Sequence, residues 1–297
     1  MPIYIYAGLT PCRRVLAPRA RGLRIGKILP LAPPHRFAQY CAMAKPIKFA
    51  CAVFLFASTT VARAELVLDA GVEYFDWQED TTPSVQETGP MFAGGITLTQ
   101  DKEHGFLVGY RGQIWGGQVT YNGAELFTGA PLTGTTQYTG LLNEGQLRYL
   151  VALRHDQRLD GVLGVGADLW RRQLSADQKE DWAVGYARLG VEITPQPGRP
   201  GWIGGAGVKY PFYTYENANL TDIGFDQNPT FTPGKDWSAY ANVGYRIDAH
   251  WSLVGYYDSY RFSQSQTVQA TSNGTLYDLV QPKSTMDVYG IRVQYTF

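Results

Sequence analysis

The last fourteen residues, 284–297, constrain the fold of this chain more than any other segment. They read STMDVYGIRVQYTF. Tyr289, Ile291, Val293, Tyr295 and Phe297 alternate there with polar, charged or small residues. Because successive side chains of a β-strand point to opposite faces, the pattern predicts a strand with one apolar and one polar face, ending on an aromatic residue.

This segment resembles the closing strand of bacterial outer-membrane β-barrels, whose strands turn an apolar face to lipid and a polar face to the lumen. The resemblance implies that Phe297 belongs to the signal read by the barrel-assembly machinery. It also implies a protein of a Gram-negative outer membrane, in contact with lipid and lipopolysaccharide. It extends to residues 65–297 as a fold and points to no particular characterised member.

A secretory signal precedes the predicted barrel. Lys45 and Lys48 form its basic start after Met43, residues 49–57 are apolar, and Ala62-Arg63-Ala64 matches an A-x-A cleavage site. The apolar stretch is far shorter than the roughly 20 residues of a membrane-spanning helix. It is therefore expected to be cleaved rather than to anchor the protein.

The first 42 residues are rich in Arg and Pro and contain no acidic residue. We interpret them as an upstream extension from a misassigned start. An organellar transit peptide is the alternative, which the signal directly behind it disfavours. The predicted division of the chain is an extension at 1–42, a cleaved signal peptide at 43–64 and a barrel at 65–297.

Without these 64 residues the chain is acidic. Ten of its 26 Lys and Arg lie in the first 64 residues, so 16 remain against all 26 Asp and Glu, a net charge of −10. Nucleic-acid binding requires a basic surface and is excluded. Cys12, Cys41 and Cys51 also lie in the removed part, so neither a disulfide nor a thiolate metal site is predicted for the barrel.

Alternation bounded by turn residues predicts ten strands. They span 66–77, 89–99, 105–120, 137–154, 161–173, 181–194, 202–216, 236–248, 250–262 and 284–297. Short turns alternate with longer loops, and an even strand number places both termini on the periplasmic side. The predicted fold is all-β, a ten-stranded antiparallel transmembrane β-barrel with extracellular loops 78–88, 121–136, 174–180, 217–235 and 263–283.

Aromatic residues near the predicted strand ends favour girdles at the two membrane interfaces. These residues are Tyr74, Tyr138, Trp202, Tyr215, Trp237, Trp251 and Tyr295.

Charged residues on the opposite, polar faces are predicted to line the lumen. They are Asp69, Glu73, Arg111, Glu144, Arg148, Asp168, Arg172, Arg188, Glu192, Lys209, Arg246 and Arg292. Both signs in a narrow space favour pairing. Ten strands lie near the size at which side chains fill a barrel, so these groups and Trp170 should largely plug it. Asp258 and Arg261 cannot be assigned a face, because the register of 250–262 is ambiguous.

The sequence offers no histidine placed to act as the general base of a barrel enzyme. In size and strand number the chain resembles the omptin-type surface proteases, whose pattern needs paired acids and an Asp–His pair at the extracellular rim. Other barrel hydrolases and acyl transferases likewise need a His. His35 lies in the extension, while His104, His155 and His250 lie in predicted periplasmic turns. No catalytic residue is therefore predicted.

Cofactors and metals have no clear site either. Asp222, Asp226 and Asn228 offer oxygen ligands of the kind that Ca²⁺ takes, but their spacing is not that of an EF-hand loop. We interpret them as part of a solvated acidic loop and predict neither a cofactor nor a metal site.

Three functional hypotheses follow from the sequence. The first is a non-enzymatic, monomeric surface barrel that supports the envelope or binds an extracellular ligand, which the sequence does not identify, through loops 217–235 and 263–283. The second is a narrow, anion-selective channel for a small solute. Its lining would be Arg111, Arg148, Arg172, Arg188, Arg246 and Arg292. The third is a barrel-embedded hydrolase that uses carboxylates alone.

Overall fold

The computed structural model describes residues 64–100, 105–125, 128–154 and 156–297. The predicted extension and the predicted signal peptide lie outside this part, except for Ala64, with which the first strand begins. Within the described ranges no helix is long and apolar enough to cross a bilayer.

Thirteen strands and one 3-10 turn make up the described chain. The strands are β1 (Ala64–Glu79), β2 (Val85–Gln100), β3 (Phe106–Ala124), β4 (Pro131–Arg154), β5 (Gln157–Gln173), β6 (Lys179–Pro195), β7 (Gly201–Ala218), β8 (Thr230–Phe231), β9 (Ser238–Arg246), β10 (Trp251–Phe262), β11 (Val268–Ser272), β12 (Thr275–Leu279) and β13 (Ser284–Thr296). The 3-10 turn is Thr221–Ile223.

Ten of these strands close into an antiparallel barrel. Strands β1 to β7 pair in sequence order, β7 pairs with β9, β9 with β10 and β10 with β13. The ring is closed by β1 and β13, which pair from Val67–Thr296 to Glu79–Ser284. Closure gives every strand two neighbours, so no sheet edge is left open. The predicted ten-stranded barrel is confirmed.

The two ends of the barrel differ in their connections. At one end, called the turn end, β2 is followed by β3, β4 by β5, β6 by β7 and β9 by β10, and the C-terminus lies there. At the other, called the loop end, lie the connections 80–84, 125–130, 174–178, 219–237 and 263–283.

The predicted loop at 121–136 is wrong, because β3 and β4 continue to Ala124 and from Pro131. The outer faces here carry polar residues such as Thr120 and Thr135 rather than apolar ones. Backbone pairing needs no apolar face outside lipid, so hydrophobic alternation stops before the strands do.

The outer face of the barrel carries a continuous apolar belt. Its exposed side chains include Leu68, Val72, Phe92, Ile96, Val108, Ile114, Leu141, Leu147, Val151, Leu163, Val165, Leu189, Val191, Val208, Val243, Leu253, Ile291 and Val293. Exposed apolar area of this extent on a folded monomer indicates contact with lipid or a partner, and a belt that encircles a closed barrel is typical of lipid contact.

Aromatic rings flank this belt at both ends. Towards the loop end lie Tyr74, Tyr210, Trp237, Tyr257 and Tyr289, and towards the turn end Phe106, Tyr149, Trp202, Tyr245, Trp251, Tyr295 and Phe297. Along β13, Tyr289 and Phe297 are about 27 Å apart at ~3.4 Å per residue. At a strand tilt of about 40° this corresponds to roughly 20 Å of membrane depth, close to the height of an outer-membrane barrel's apolar band.

One predicted girdle residue is misplaced. Tyr138 is only 1% exposed and lies inside the barrel, where its ring packs 4.7 Å from that of Phe75. It shares the inner face of β4 with Glu144. The other predicted girdle residues lie on the outer face, with Tyr215 half-buried there.

Polar side chains occupy the outer face above the belt. Arg171 pairs with Asp181 and Arg261 with Asp287, each at 2.7 Å. Arg261 therefore faces outward, while Asp258 on the same strand faces inward and pairs with Lys209. The strands thus extend beyond the apolar belt at the loop end.

We predict that Ile114→Arg weakens the barrel in lipid vesicles by about 2 to 4 kcal/mol, the cost of a cation at mid-bilayer. Ile114 is 66% exposed within the belt. Thr120→Arg, on the same strand and face but above the belt, should change stability little. Denaturant unfolding followed by tryptophan fluorescence measures both. Equal effects of the two variants would contradict the assignment of the belt to lipid.

Gly140→Ala is a second test of the fold. A Cβ at Gly140 would overlap the Trp115 ring, which occupies the space above this glycine inside the lumen. Overpacking of this kind typically costs about 1 to 3 kcal/mol. Gly134, on the same strand, has no heavy atom within 4 Å of such a Cβ. We expect Gly140→Ala to lower the temperature at which heat-modifiable gel mobility is lost, and Gly134→Ala to leave that temperature unchanged.

Candidate functional site in the barrel lumen

The lumen contains a layer of packed aromatic side chains, called here the aromatic plug. Its members are Phe75, Trp77, Trp115, Tyr138, Trp170, Trp182, Tyr186, Tyr260 and Phe262, all at most 7% exposed. Trp170 and Trp182 stack with centroids 5.3 Å apart and planes at 10°, and Trp77 meets Trp182 edge-on at 5.4 Å. These are favourable aromatic geometries. The plug is tightly packed, and the cavity beside Trp115 and Tyr260 measures only about 40 Å³.

The plug forms because its residues occupy inner-face positions on strands that are neighbours or lie across the lumen from one another. Trp77 lies on β1, Trp115 on β3, Trp170 on β5 and Trp182 on β6. Met91 and Met286 pack among the rings. Flexible thioether side chains of this type fill the irregular spaces between rigid rings.

On the loop-end side of the plug lies the Arg172 cluster, composed of Arg172, Glu79, Glu87, Glu180 and Glu216. Arg172 is fully buried and donates from Nη1 to Glu79 at 3.0 Å and Glu180 at 3.1 Å, and from Nη2 to Glu87 at 2.7 Å. A buried cation is tolerated only with such partners. One guanidinium therefore connects β1, β2, β5 and β6.

Further donors fix the acidic side chains of this cluster. The Trp77 indole donates to Glu79 at 3.0 Å, the Thr136 hydroxyl donates to Glu87 at 3.0 Å, and the Tyr138 hydroxyl also donates to Glu87. Glu216 is different, because neither of its buried carboxyl oxygens has a hydrogen-bond partner among the described residues. The cluster thus holds more acidic groups than its single cation can bind.

A mixed charge network lies beside the plug in the middle of the barrel. Lys209 pairs with Asp258, and its ammonium lies 3.5 Å from the centroid of the Tyr260 ring. The Trp115 indole donates to Asp168 at 3.3 Å. Each charged group in this layer contacts an opposite charge, a polar hydrogen or an aromatic face, so the network fixes the plug in place.

Glu73 and Glu144 anchor the part of the network nearer the turn end. Glu73 accepts hydrogen bonds from the Gln113 amide at 3.2 Å and from the Tyr256 hydroxyl. Glu144 pairs with Arg188 at 3.1 Å and accepts a hydrogen bond from Tyr186 at 2.8 Å.

Nearer the turn end the lumen widens into a cavity of about 210 Å³, called the turn-end vestibule. Its charged lining comprises Glu65, Arg111, Arg148, Arg158, Asp160, Arg188, Glu192, Arg246 and Arg292. Glu192 binds both Arg148 and Arg188, the latter at 3.2 Å. The lining has six guanidinium groups and three carboxylates, and Glu144 and Asp69 behind it face Arg188 and Arg292, so the vestibule carries a small excess of positive charge.

All twelve charged residues predicted for the lumen lie on the inner face. The sequence did not reveal Glu79, Glu87, Glu180 and Glu216 as lumen residues. The first three fall in segments predicted as loops, because apolar alternation stops before the strands do. Glu79 lies an even number of positions after Glu73 on β1, so both side chains point into the lumen. This alternation could have identified Glu79 from the sequence.

His250, the one histidine among the residues that the structure describes, contacts the C-terminal strand. His250 Nδ1 lies 2.8 Å from the Thr296 carbonyl oxygen, and the ring stacks on Tyr295. In the same turn, backbone N–H groups of Trp251 and His250 donate to Asp248 at 2.8 Å and lower the pKa of its carboxyl group. His35, His104 and His155 lie outside the described residues.

In the acidic loop considered as a Ca²⁺ site, side-chain oxygens accept hydrogen bonds from backbone N–H groups of the protein. Asn228 accepts a hydrogen bond from the Thr221 backbone, and Asp226 accepts one from the Thr271 backbone, both at 2.8 Å. Within the described part of the chain no group of three or more His, Cys, Asp or Glu side chains is arranged to hold a metal ion.

Loops 219–237 and 263–283 pack together into what we call the loop cap. Leu220, Phe225, Phe231, Ala270 and Leu279 form its buried apolar centre with Ala218. Within it, β11 and β12 form a hairpin. The hairpin turns at Asn273 and Gly274, whose φ angles of 51° and 78° are those that a tight two-residue turn requires.

A closed antiparallel barrel with an apolar outer belt and a polar, charged lumen defines the class of outer-membrane β-barrel proteins. No protein-family model and no curated protein matches the sequence.

Solved structures with similar outlines include three outer-membrane barrels. The outer membrane protease OmpT from Escherichia coli is 12% identical, with a TM-score of 0.47, over 80% of this chain and 98% of its own. The outer membrane protein OprG from Pseudomonas aeruginosa is 13% identical, with a TM-score of 0.36, over 79% and 96%. The Pseudomonas putida toluene transporter TodX is 7% identical, with a TM-score of 0.35, over 79% and 89%. At these TM-scores the likenesses do not bear on function.

We predict that Arg172→Met destabilises the barrel by about 3 to 5 kcal/mol, because it leaves three buried carboxylates without their cation. Arg171→Met is the matched control. The neighbouring Arg171 faces outward in a partly exposed pair and should contribute at most about 1 kcal/mol. Denaturant midpoints in detergent measure both variants. A similar midpoint for the two would refute a structural role of the cluster.

Proposed function

We propose that this protein is a non-conducting, non-enzymatic barrel of a Gram-negative outer membrane, which stabilises the envelope and presents a rigid loop cap at the cell surface. The observation that carries the proposal is the aromatic plug, sealed on its loop-end side by the buried Arg172 cluster. The rings of the plug and the side chains of the Arg172 cluster are almost fully buried, which argues against a continuous path for water and solutes.

The location follows from three features that agree. The predicted signal peptide supplies export, the apolar belt with its aromatic rings suits an outer membrane, and the acidic chain suits no nucleic-acid partner. Short turns in such barrels face the periplasm and long loops face outward. The turn end, with both ends of the barrel domain, is then periplasmic, and the loop cap is extracellular.

The loop cap is built for presentation rather than movement. Asp226 and Thr271 exchange two hydrogen bonds between its two loops, at 2.9 and 2.8 Å, and Gln266 accepts from the backbone and hydroxyl of Thr232 at 3.0 and 2.7 Å. Leu276 is exposed at the hairpin. A fixed cap on a rigid barrel suits binding of an extracellular ligand without an ordering cost.

The non-enzymatic assignment rests on the placement of the one described histidine. His250 binds the last strand at the turn end, away from the loop end, where a surface enzyme would meet its substrate. In the Arg172 cluster, Glu79, Glu87 and Glu180 are bound to Arg172, and all four carboxylates, including Glu216, are buried away from that surface. A hydrolase that uses them alone would need them exposed.

Assembly partners follow from the last residue. Phe297 is 65% exposed on the outer face, and its backbone N–H donates to the Leu66 carbonyl at 2.9 Å. Its side chain is thus available to the barrel-assembly machinery. Lipid and lipopolysaccharide surround the belt, and the closed sheet needs no second copy, so a monomer is expected.

An anion-selective channel is the second candidate, favoured by the arginine excess of the vestibule. It requires the plug to move. Surplus cations would then select anions on the periplasmic side.

We predict that the wild-type protein, inserted in planar bilayers after its folding is verified by heat-modifiable gel mobility, produces no conductance steps. Trp170→Ala with Trp182→Ala removes the stacked pair of the plug and should open brief ion pathways. Trp202→Ala with Trp237→Ala removes two outward rings and should stay silent. Discrete anion-selective steps from the wild type, altered by Arg148→Gln with Arg188→Gln, would instead establish the channel.

A further inference from the structure

The turn-end vestibule has the features of a binding site that the plug and the loop cap do not explain. A cavity of about 210 Å³ corresponds to several water molecules at ~30 Å³ each. Its wall also carries neutral polar side chains, among them Thr97, Gln146, Asn242 and Gln294.

The arginines of this wall keep unused donors. The buried Nε atoms of Arg148, Arg246 and Arg292 have no hydrogen-bond partner among the described residues. Arg246 is more than nine-tenths buried and uses Nη2 on Glu65 at 3.1 Å. Because the N–H groups of a guanidinium lie in one plane, a free Nε–H beside an Nη–H forms the fork that fits two oxygens of one oxyanion.

Arg292 is the least neutralised of these cations. Its closest carboxylate, Asp69, lies 3.9 Å away, beyond hydrogen-bond distance. Its guanidinium instead lies over the Tyr256 ring, with the central carbon 3.8 Å from the ring centroid. The stacking fixes the orientation of the guanidinium and leaves its edge for another partner.

The charge of the vestibule favours an anion. Its lining has six guanidinium groups and three carboxylates, and Glu144 and Asp69 behind the lining face Arg188 and Arg292. One guanidinium remains in excess, and a low-dielectric wall strengthens its attraction for a counter-ion. The lining includes Pro195 and Pro197 at the 195–201 connection and Thr296 at the C-terminus. The cavity is therefore located at the turn end, and the buried plug and Arg172 cluster separate it from the loop end.

We propose that the turn-end vestibule binds a small solute through a phosphate or carboxylate group, held by the guanidinium edges of Arg246 and Arg292. The site is separate from the loop cap and does not require the plug to open. With the turn end facing the periplasm, the solute comes from the periplasmic side.

Isothermal titration of the detergent-solubilised protein, purified from membranes, tests this site with inorganic phosphate, succinate and chloride as probes. We expect saturable, single-site binding of phosphate, of succinate or of both, and none of chloride. Arg246→Gln with Arg292→Gln should weaken binding at least tenfold. The outward-facing Arg171→Gln removes one positive charge from the outer surface and should leave affinity unchanged.

A third variant controls for loss of binding caused by misfolding of the double arginine variant. Thr99→Glu adds a carboxylate to the vestibule wall without removing any arginine and should also weaken binding at least tenfold. Absence of saturable binding by either oxyanion, or equal affinity in the double arginine variant and in Arg171→Gln, overturns the site. Phosphate binding supports this site, and silent bilayers support the closed barrel. The two results are independent, so either proposal can fail while the other holds.

Discussion

The structure depends on the pairing of β1 with β13. In hydrocarbon an unpaired backbone N–H or C=O costs several kcal/mol, so a sheet can cross lipid only if it has no edge. The register from Val67–Thr296 to Glu79–Ser284 removes the last edge and sets the parity of every strand around the ring. Because neighbouring residues of a strand point to opposite faces, Ile291 then faces lipid and Arg292 faces the lumen. Both the belt and the lumen network follow from this one closure.

A lumen of this diameter has to be filled, and its three layers are filled by different means. Rings such as Trp170 and Trp182 fill most of the centre, beside the Lys209–Asp258 pair. Arg172 fills the loop-end layer by binding acids from several strands, and the arginines of the turn end leave a cavity. Such buried ionic groups are weak evidence for stability, since apolar replacements often match them. The two ionic groups lie on opposite sides of the aromatic plug and are packed differently: Arg172 and its acidic partners are fully buried, whereas the turn-end arginines line a cavity of about 210 Å³.

The sequence predicted those features that repeat with the strand period. Alternation in 284–297 identified the barrel, and parity identified inner-face groups as different as Asp69 and Lys209. It failed where lipid imposes no pattern, as in the polar ends of β3 and β4 and at Glu79. The two long loops also hid the β11–β12 hairpin, although Asn273-Gly274 was a turn signal. Partners across the lumen, such as Arg172 with Glu87, depend on barrel closure and cannot be inferred from local spacing.

Several contacts of the lumen cross the seam between the two ends of the chain. Glu65 binds Arg246, and Tyr256 donates to Glu73, over sequence separations of 181 and 183 residues. Contacts so distant in sequence carry the largest loop-closure entropy and cannot form before β1 is brought to β9 and β10. An open sheet stalled before closure would leave these charges unpaired on its polar face. The seam contacts therefore favour the completed barrel over a partly inserted sheet, so they make assembly nearly all-or-none.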